Sequence, residues 1–204
     1  MNPINVAAKI IALCRTFRAR RKRMEGIFSF IYKHNLWENE ESVSGRGSTL
    51  ARTTVIRKEI PSLFKELNVH SLLDAPCGDF NWMRQIELEL EMYIGVDVVP
   101  ELIFRNNEMF ASPTKKFILL DISKDTLPSV DVILCRDCLI HFSLEDIDAT
   151  IKNFKRSKSK YLLATNHIDV KKNVEIRTGE WRSVNLQLPP FNFPAPLKLI
   201  IEDA

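Results

Sequence analysis

The sequence predicts an α/β fold: a Rossmann-like, doubly wound, mostly parallel sheet of six to seven strands with helices on both faces. Two observations carry this expectation. Short apolar runs at 71–75 (SLLDA), 92–97 (MYIGVD), 117–121 (FILLD), 131–135 (DVILC) and 160–166 (KYLLATN) alternate with helical text at 80–90, 100–111 and 144–156. Strands that are apolar on both sides belong to a parallel sheet buried between helix layers. In addition, three successive runs end in an acid: Asp74, Asp97 and Asp121. The carboxyl ends of the strands line the ligand crevice of such a sheet, so these acids share one edge.

Along the chain, residues 1–24 read as a basic amphipathic arm, 25–68 as a helical cap and lid, and 69–204 as the ligand-binding domain. The arm "MNPINVAAKIIALCRTFRARRKR" lacks the charge order and cleavage site of a secretory signal. As a helix it would align Ile4, Ala7, Ile11 and Cys14, a stripe that with its basic residues suits a membrane surface. A frayed extension or a helix docked on a partner fits the same text. Helical text resumes at Thr49, with Pro61 placed to open a second short helix through Leu67. Four prolines between 189 and 196 mark an irregular stretch. "LKLIIE" (197–202) supplies a sixth strand, and "RSVNL" (182–186) is the only text for a very short seventh.

At 204 residues the chain suits one domain with an appendage, and 45% hydrophobic with 27% charged residues is ordinary globular composition. Of the 29 basic residues seven fall in the first 24, leaving 22 against all 26 acidic ones. A body of that sign does not point to nucleic acid. The four cysteines (Cys14, Cys77, Cys135, Cys138) form no secreted framework, and no run approaches the ~20 apolar residues of a membrane span. A reduced, cytoplasmic setting is expected.

The turn after the first strand, "DAPCGDF", holds one glycine, Gly78, where a pyrophosphate cradle needs several. Asp97 follows Gly78 at the distance from which an acid bonds ribose hydroxyls. Asp79 would repel phosphate. A ligand with a ribose and a cationic group but no phosphate fits better than a dinucleotide, and S-adenosylmethionine is such a ligand.

"LLDAPCGDFNWM", "YIGVDVV", "FILLDIS" and "VDVILCRDCLIHF" resemble, in order, the motifs of class I S-adenosylmethionine-dependent methyltransferases. The resemblance implies that Asp74, Ala75, Pro76, Cys77, Gly78 and Asp79, with Trp82, cradle the methionine part of the cofactor. It further implies that Asp97 and Val98 meet the ribose, that Asp121 and Ile122 meet the adenine, and that Cys135 and Arg136 border the site. Pro76 and Phe80 stand where the usual loop has its outer glycines. "LWENEESVSGRGSTLARTTVIRKEIPSLFKEL" and "GEWRSVNLQLPPFNFPAPLKLIIE" extend the resemblance to microbial and viral methyltransferases, some linked to glycan assembly. The expected acceptor is then a hydroxyl of a glycan or other small molecule. A nitrogen acceptor and a non-catalytic cofactor-binding scaffold are the alternatives.

Methyl transfer to a hydroxyl requires a base for its proton. In "CRDCLIHFS", Asp137 and His141 are four apart, and a helical turn would put both on one face. His141 as base supported by Asp137 stands beside the bland reading of a histidine that packs near the cofactor; His167 is the reserve. No metal is expected: Cys135 and Cys138 spell C-x-x-C without a second ligand pair. "QLPPF" (187–191) has Leu188 where amino-methylating enzymes carry a polar residue, so it carries no weight. "SVSGRGST", with Ser44, Gly45 and Gly47, reads as a lid or a solvated loop. Trp37 and Trp181 are sugar-stacking candidates, or ordinary packed tryptophans.

Overall fold

The computed structural model describes residues 23–202. Five strands form one parallel sheet: β1 (Ser71–Asp74), β2 (Met92–Asp97), β3 (Lys115–Leu119), β4 (Val132–Cys135) and β5 (Tyr161–Ala164), in the order β3-β2-β1-β4-β5. The chain runs outward from β1 to β3 and returns to place β4 beside β1, so the order reverses between β1 and β4. Loops diverge there and leave a crevice at the carboxyl edge.

Side chains alternate across the sheet with the period of the pleat. Leu73, Ile94, Val96 and Ile133 face a core layer with α4 (Leu144–Ser157) and Met24 of α1 (Arg23–Lys33). Leu72, Tyr93, Phe117, Val132 and Leu134 face the other, with α2 (Thr54–Glu66) and Ile103 of α3 (Pro100–Phe110). α4 begins with Ser143 accepting from the Asp146 amide, has acids in its first turn and ends on basic residues, in keeping with the helix dipole. No described helix is long and apolar enough to cross a membrane.

The structure departs from the sequence expectation in several places. Pro61 lies inside one continuous helix, α2, instead of opening a second. Burial of Ile56, Ile60, Leu63 and Phe64 against the sheet, at about 1.5–3 kcal/mol each, outweighs the roughly 3 kcal/mol cost of an internal proline. Residues 80–90 hold only a short 3-10 turn, Met83–Gln85. Phe80 has a left-handed φ of 59°, which cannot open a helix, and its ring is buried edge-on against Tyr93 and Phe117. β3 starts two residues early, because Lys115 and Lys116 pair with Tyr93 and Ile94 on an edge strand that tolerates lysine.

The sheet of the described residues has five strands, not six or seven. "LKLIIE" alternates as a strand would, but nothing pairs with it. Lys198 contacts Glu66, Ile200 packs on the core and Glu202 pairs with Arg136, while Leu197, Leu199 and Ile201 point outward. "RSVNL" passes beside residues 166–168, yet two of its amides bond side chains: Val184 donates to His167 and Leu186 to Asn166. Those side chains replace a ladder. α1 falls mostly in the expected helical cap, ahead of the helical text at Thr49, and takes in Arg23 and Met24 of the predicted arm. Arg23 pairs with Asp146 and Met24 is core. Residues 1–22 of that arm lie outside the described residues.

Candidate active site

Asp74, Asp97 and Asp121 line one cleft at the carboxyl edge, with about 1010 Å³ of empty space that is partly open to solvent. Asp74 accepts from the Tyr93 hydroxyl at 2.5 Å, and burial pushes its carboxyl up to about 7. Asp97 accepts from the amides of Gly78 (3.1 Å) and Val99 (3.0 Å), one on each oxygen. Burial still pushes it up to about 6. Burial raises both carboxyls because their charge is poorly solvated, so hydrogen-bond donors or a positive charge entering the cleft would stabilise the ionised forms. Asp121 is bonded locally, by the amide of Ser123 at 2.9 Å and by Lys124 at 2.9 Å.

The turn after β1 is pinned from both sides. The Ala75 amide donates to Leu134 and the Cys77 amide to Val96, each at 2.8 Å. Asn106 of α3 donates to the Gly78 carbonyl at 2.8 Å. Gly78 has a left-handed φ of 53°, and a Cβ there would lie 2.2 Å from Ser44 Oγ. Only glycine fits. Pro76, Cys77 and Gly78 line the cleft with Trp82 and Val98; Ala75 is buried behind the turn.

Asp79 also borders the cleft, but its carboxylate is engaged elsewhere. It accepts from Ser42 Oγ at 2.9 and 3.0 Å, the Val43 amide at 3.0 Å and Ser44 Oγ at 3.2 Å. The Asp79 amide donates back to Ser44 Oγ at 2.9 Å. Asn81 adds bonds to Glu41 and to the Ser48 carbonyl. The 41–49 segment is therefore clamped over the turn, with Asp79 as its anchor at the border of the cleft. Ser44 lines the cleft, whereas Gly45 and Gly47 do not. A Cβ on Gly45 would lie 3.2 Å from Trp37 Cβ, and one on Gly47 would meet Asp137 Oδ2 at 2.6 Å.

After β4, Cys135 is a core residue and Arg136 turns into the cleft. Arg136 lies over the Trp82 ring (5.5 Å) and pairs with Glu202 (2.7 Å) and Asp137 (3.2 Å). It also donates to the Gly47 carbonyl at 2.8 Å. Asp137 has φ 49° and exchanges bonds with Thr165, its amide at 2.9 Å and its carboxylate at 3.0 Å. The expected helical turn joining Asp137 to His141 is absent. The 3-10 turn Leu139–His141 starts after the left-handed Asp137, and Asp137 makes no hydrogen bond to His141. The Glu180 carbonyl, 2.9 Å from His141 Nδ1, orients the ring instead. A carbonyl only accepts, so Nδ1 carries the proton and Nε2 is left with a lone pair. Burial lowers the His141 pKa, so the ring is neutral near pH 7. It stacks on Trp37 at 5.1 Å, and both line the cleft. His167 is outside it, bonded to Val184. Trp181 is 62% exposed and also outside. Among the described residues no three His, Cys, Asp or Glu side chains are grouped to hold a metal ion.

The sequence reading missed the wall contributed by α1, where Met24, Phe28 and Tyr32 line the cleft. The spacing of Met24, Ile27, Phe28 and Ile31 is a helical signature that could have revealed it. Val99, Leu102 and Phe142 were missed as well.

No family model matches the chain, and no curated protein matches it. Among solved structures it is similar to human N-acetylserotonin methyltransferase in complex with SAM, at 13% identity and TM-score 0.56, covering 90% of this chain and 57% of that one. It is also similar to a SAM-dependent methyltransferase of Leishmania major, at 15% identity and TM-score 0.51, covering 68% of this chain and 65% of that one. A third is magnesium protoporphyrin IX methyltransferase from Synechocystis PCC 6803 with bound SAH, at 13% identity and TM-score 0.50, covering 71% and 69%. The chain spans less than two thirds of the human and Leishmania proteins. The likeness is one of fold: the chain has the Rossmann-like fold of the class I methyltransferases.

Proposed function

We propose that this chain is an S-adenosylmethionine-dependent methyltransferase that methylates a hydroxyl of a glycan or other small molecule. The observation carrying the proposal is that one cleft is lined both by the buried acids Asp74 and Asp97 and by His141, whose Nδ1 is held by the Glu180 carbonyl so that Nε2 keeps its lone pair.

The donor set fits the cofactor. Asp97 retains lone pairs for the ribose hydroxyls, Asp74 meets the cationic amino-acid part, and Val98, Val99, Leu102 and Ile122 offer apolar walls for a base. When bound, the cofactor supplies a methyl group already activated by a sulfonium. The protein's task is then to place the acceptor oxygen in line and to remove its proton. His141 Nε2 takes that proton, held to this role by the Nδ1 bond to Glu180. Trp37, Tyr32 and Phe28 flank the acceptor, and the 41–49 lid limits water. With the methyl supplied by the bound cofactor, the acceptor oxygen would lose its proton to His141, which would then carry the positive charge released from the sulfonium.

Calorimetry with S-adenosylmethionine, with labelled-methyl transfer to neutral oligosaccharides and to amines in parallel, tests the reading. Binding with transfer to hydroxyls supports it. Transfer only to amines moves the acceptor to nitrogen, and binding without any transfer favours the scaffold alternative.

As a further part of the proposal, residues 1–24 hold the chain at an anionic membrane surface. The support is their apolar stripe and seven basic residues, Arg23 being engaged with Asp146.

A further inference from the structure

The irregular stretch after β5 has a defined task at the site. Four consecutive carbonyls of the His141 turn are each held from residues 179–182. Arg182 Nη1 donates to Leu139 at 2.8 Å, the Arg182 amide to Ile140 at 3.0 Å, the Gly179 amide to His141 at 2.8 Å and Arg182 Nη2 to Phe142 at 2.6 Å. The Glu180 carbonyl between them accepts from His141 Nδ1. Gly179 has a left-handed φ of 100°, which lets the backbone fold back on this turn.

Arg182 is 5% exposed, and among the described residues no carboxylate reaches ion-pair distance of it, Glu175 acting on it only from further away. Its remaining bond is from Nε to the Val174 carbonyl at 3.3 Å. Burying a guanidinium without a counter-charge is costly unless its donors are satisfied, and an apolar residue would fill the space at lower cost. What an apolar residue lacks is a rigid planar fork that reaches two carbonyls three residues apart. Lysine lacks it too.

We propose that Arg182 is a positioning residue for His141, fixing the turn so that Nδ1 stays on the Glu180 carbonyl and Nε2 faces the acceptor. The inference rests on the reading of His141 as base. Few charged groups face the ring. Asp137 favours its protonated form and Arg182 opposes it. The neighbour from the cap is the uncharged Trp37, α1 presents Phe28 to Trp37 and Phe142, and Arg136 is engaged by Asp137 and Glu202. Removing Arg182 therefore loosens the ring and raises its pKa together.

The test uses the full chain with ring-labelled histidine, comparing wild type, Arg182→Met, Arg182→Lys and His141→Gln. Three quantities are read: the His141 titration by NMR, S-adenosylhomocysteine affinity by calorimetry, and methyl transfer to the best acceptor of the panel above. In Arg182→Met the titration should move to higher pH and transfer should fall at least tenfold, with S-adenosylhomocysteine affinity within about twofold of wild type. Arg182→Lys should keep the titration near wild type while transfer still falls. Should Arg182→Met fail to fold, wild-type transfer by a folded Arg182→Lys would overturn the inference. Unchanged titration and transfer in Arg182→Met, with His141→Gln inactive, would overturn the inference alone. Wild-type transfer by His141→Gln would overturn the base reading and the inference with it.

Discussion

The Gly78 amide donates to the Asp97 carboxylate at 3.1 Å, joining the turn after β1 to the end of β2 across the mouth of the cleft. One acid thereby fixes the loop and lines the cleft. Asp97→Ala removes charge-assisted hydrogen bonds, each of about 1.5–3 kcal/mol. S-adenosylmethionine affinity should fall at least about tenfold with the circular dichroism spectrum unchanged. Wild-type binding by calorimetry would reject Asp97 as a cofactor contact.

Burial sets the pH response of the ligand-free protein. Asp74 is pushed up to about 7 and Asp97 to about 6, against 3.8 in an unfolded chain. An acid raised in the folded state keeps its proton where the unfolded chain has lost it. The stability these groups contribute is therefore full below about pH 4 and is lost as the pH rises to about 7. Asp74→Asn should flatten the decline in melting temperature over that window. A cationic ligand favours the ionised acids, so S-adenosylmethionine should bind more tightly as pH rises and release protons. Titration calorimetry in buffers of different ionisation enthalpy measures that release, and proton uptake would contradict it.

His141 should act above its pKa, which burial places below the ordinary 6.5. Turnover should fall only as the pH drops below that value. His141→Ala should lower turnover by about 10²–10⁴-fold, the usual contribution of a positioned base, with far less effect on cofactor affinity. Full activity in this variant would move the role to Asp137, which lines the cleft, because His167 lies outside it. Loss of activity in EDTA with recovery in magnesium would contradict the metal-free mechanism.

The lid depends on Asp79 and on two glycines. Asp79→Ala breaks bonds to Ser42, Val43 and Ser44, and should speed amide exchange across 41–49 while weakening cofactor binding. Gly47→Ala places a methyl against Asp137 Oδ2, and Gly78→Ala adds strain from its positive φ. Each should destabilise the protein by roughly 1–3 kcal/mol in urea titrations, the range for overpacking and backbone strain. Amide exchange unchanged in Asp79→Ala would show that the segment closes without this anchor.

Deleting residues 1–22 should leave cofactor binding intact and abolish co-sedimentation with anionic vesicles. A full-length chain that stays in the supernatant at low salt would remove the membrane proposal.

Hydrophobic runs and strand-end acids were enough to read the parallel sheet, and Asp74, Asp97 and Asp121 do meet in one cleft, because every strand of a parallel sheet points its carboxyl end the same way. Local text also picked out Gly78 and His141, and both line that cleft. It could not supply what depends on distant partners. That Asp79 turns to the lid was decided by Ser42 and Ser44, more than thirty residues upstream. That His141 is oriented by Glu180 and not by Asp137 was decided by a chain reversal at Gly179 and by the buried fork of Arg182. "LKLIIE" has the alternation of a strand, but a strand also needs a neighbour with free amides and carbonyls, and that belongs to the assembled fold. Side-chain periodicity is a local property of the backbone; which groups satisfy a buried carboxylate, a carbonyl or a ring nitrogen is settled only when the chain has closed on itself.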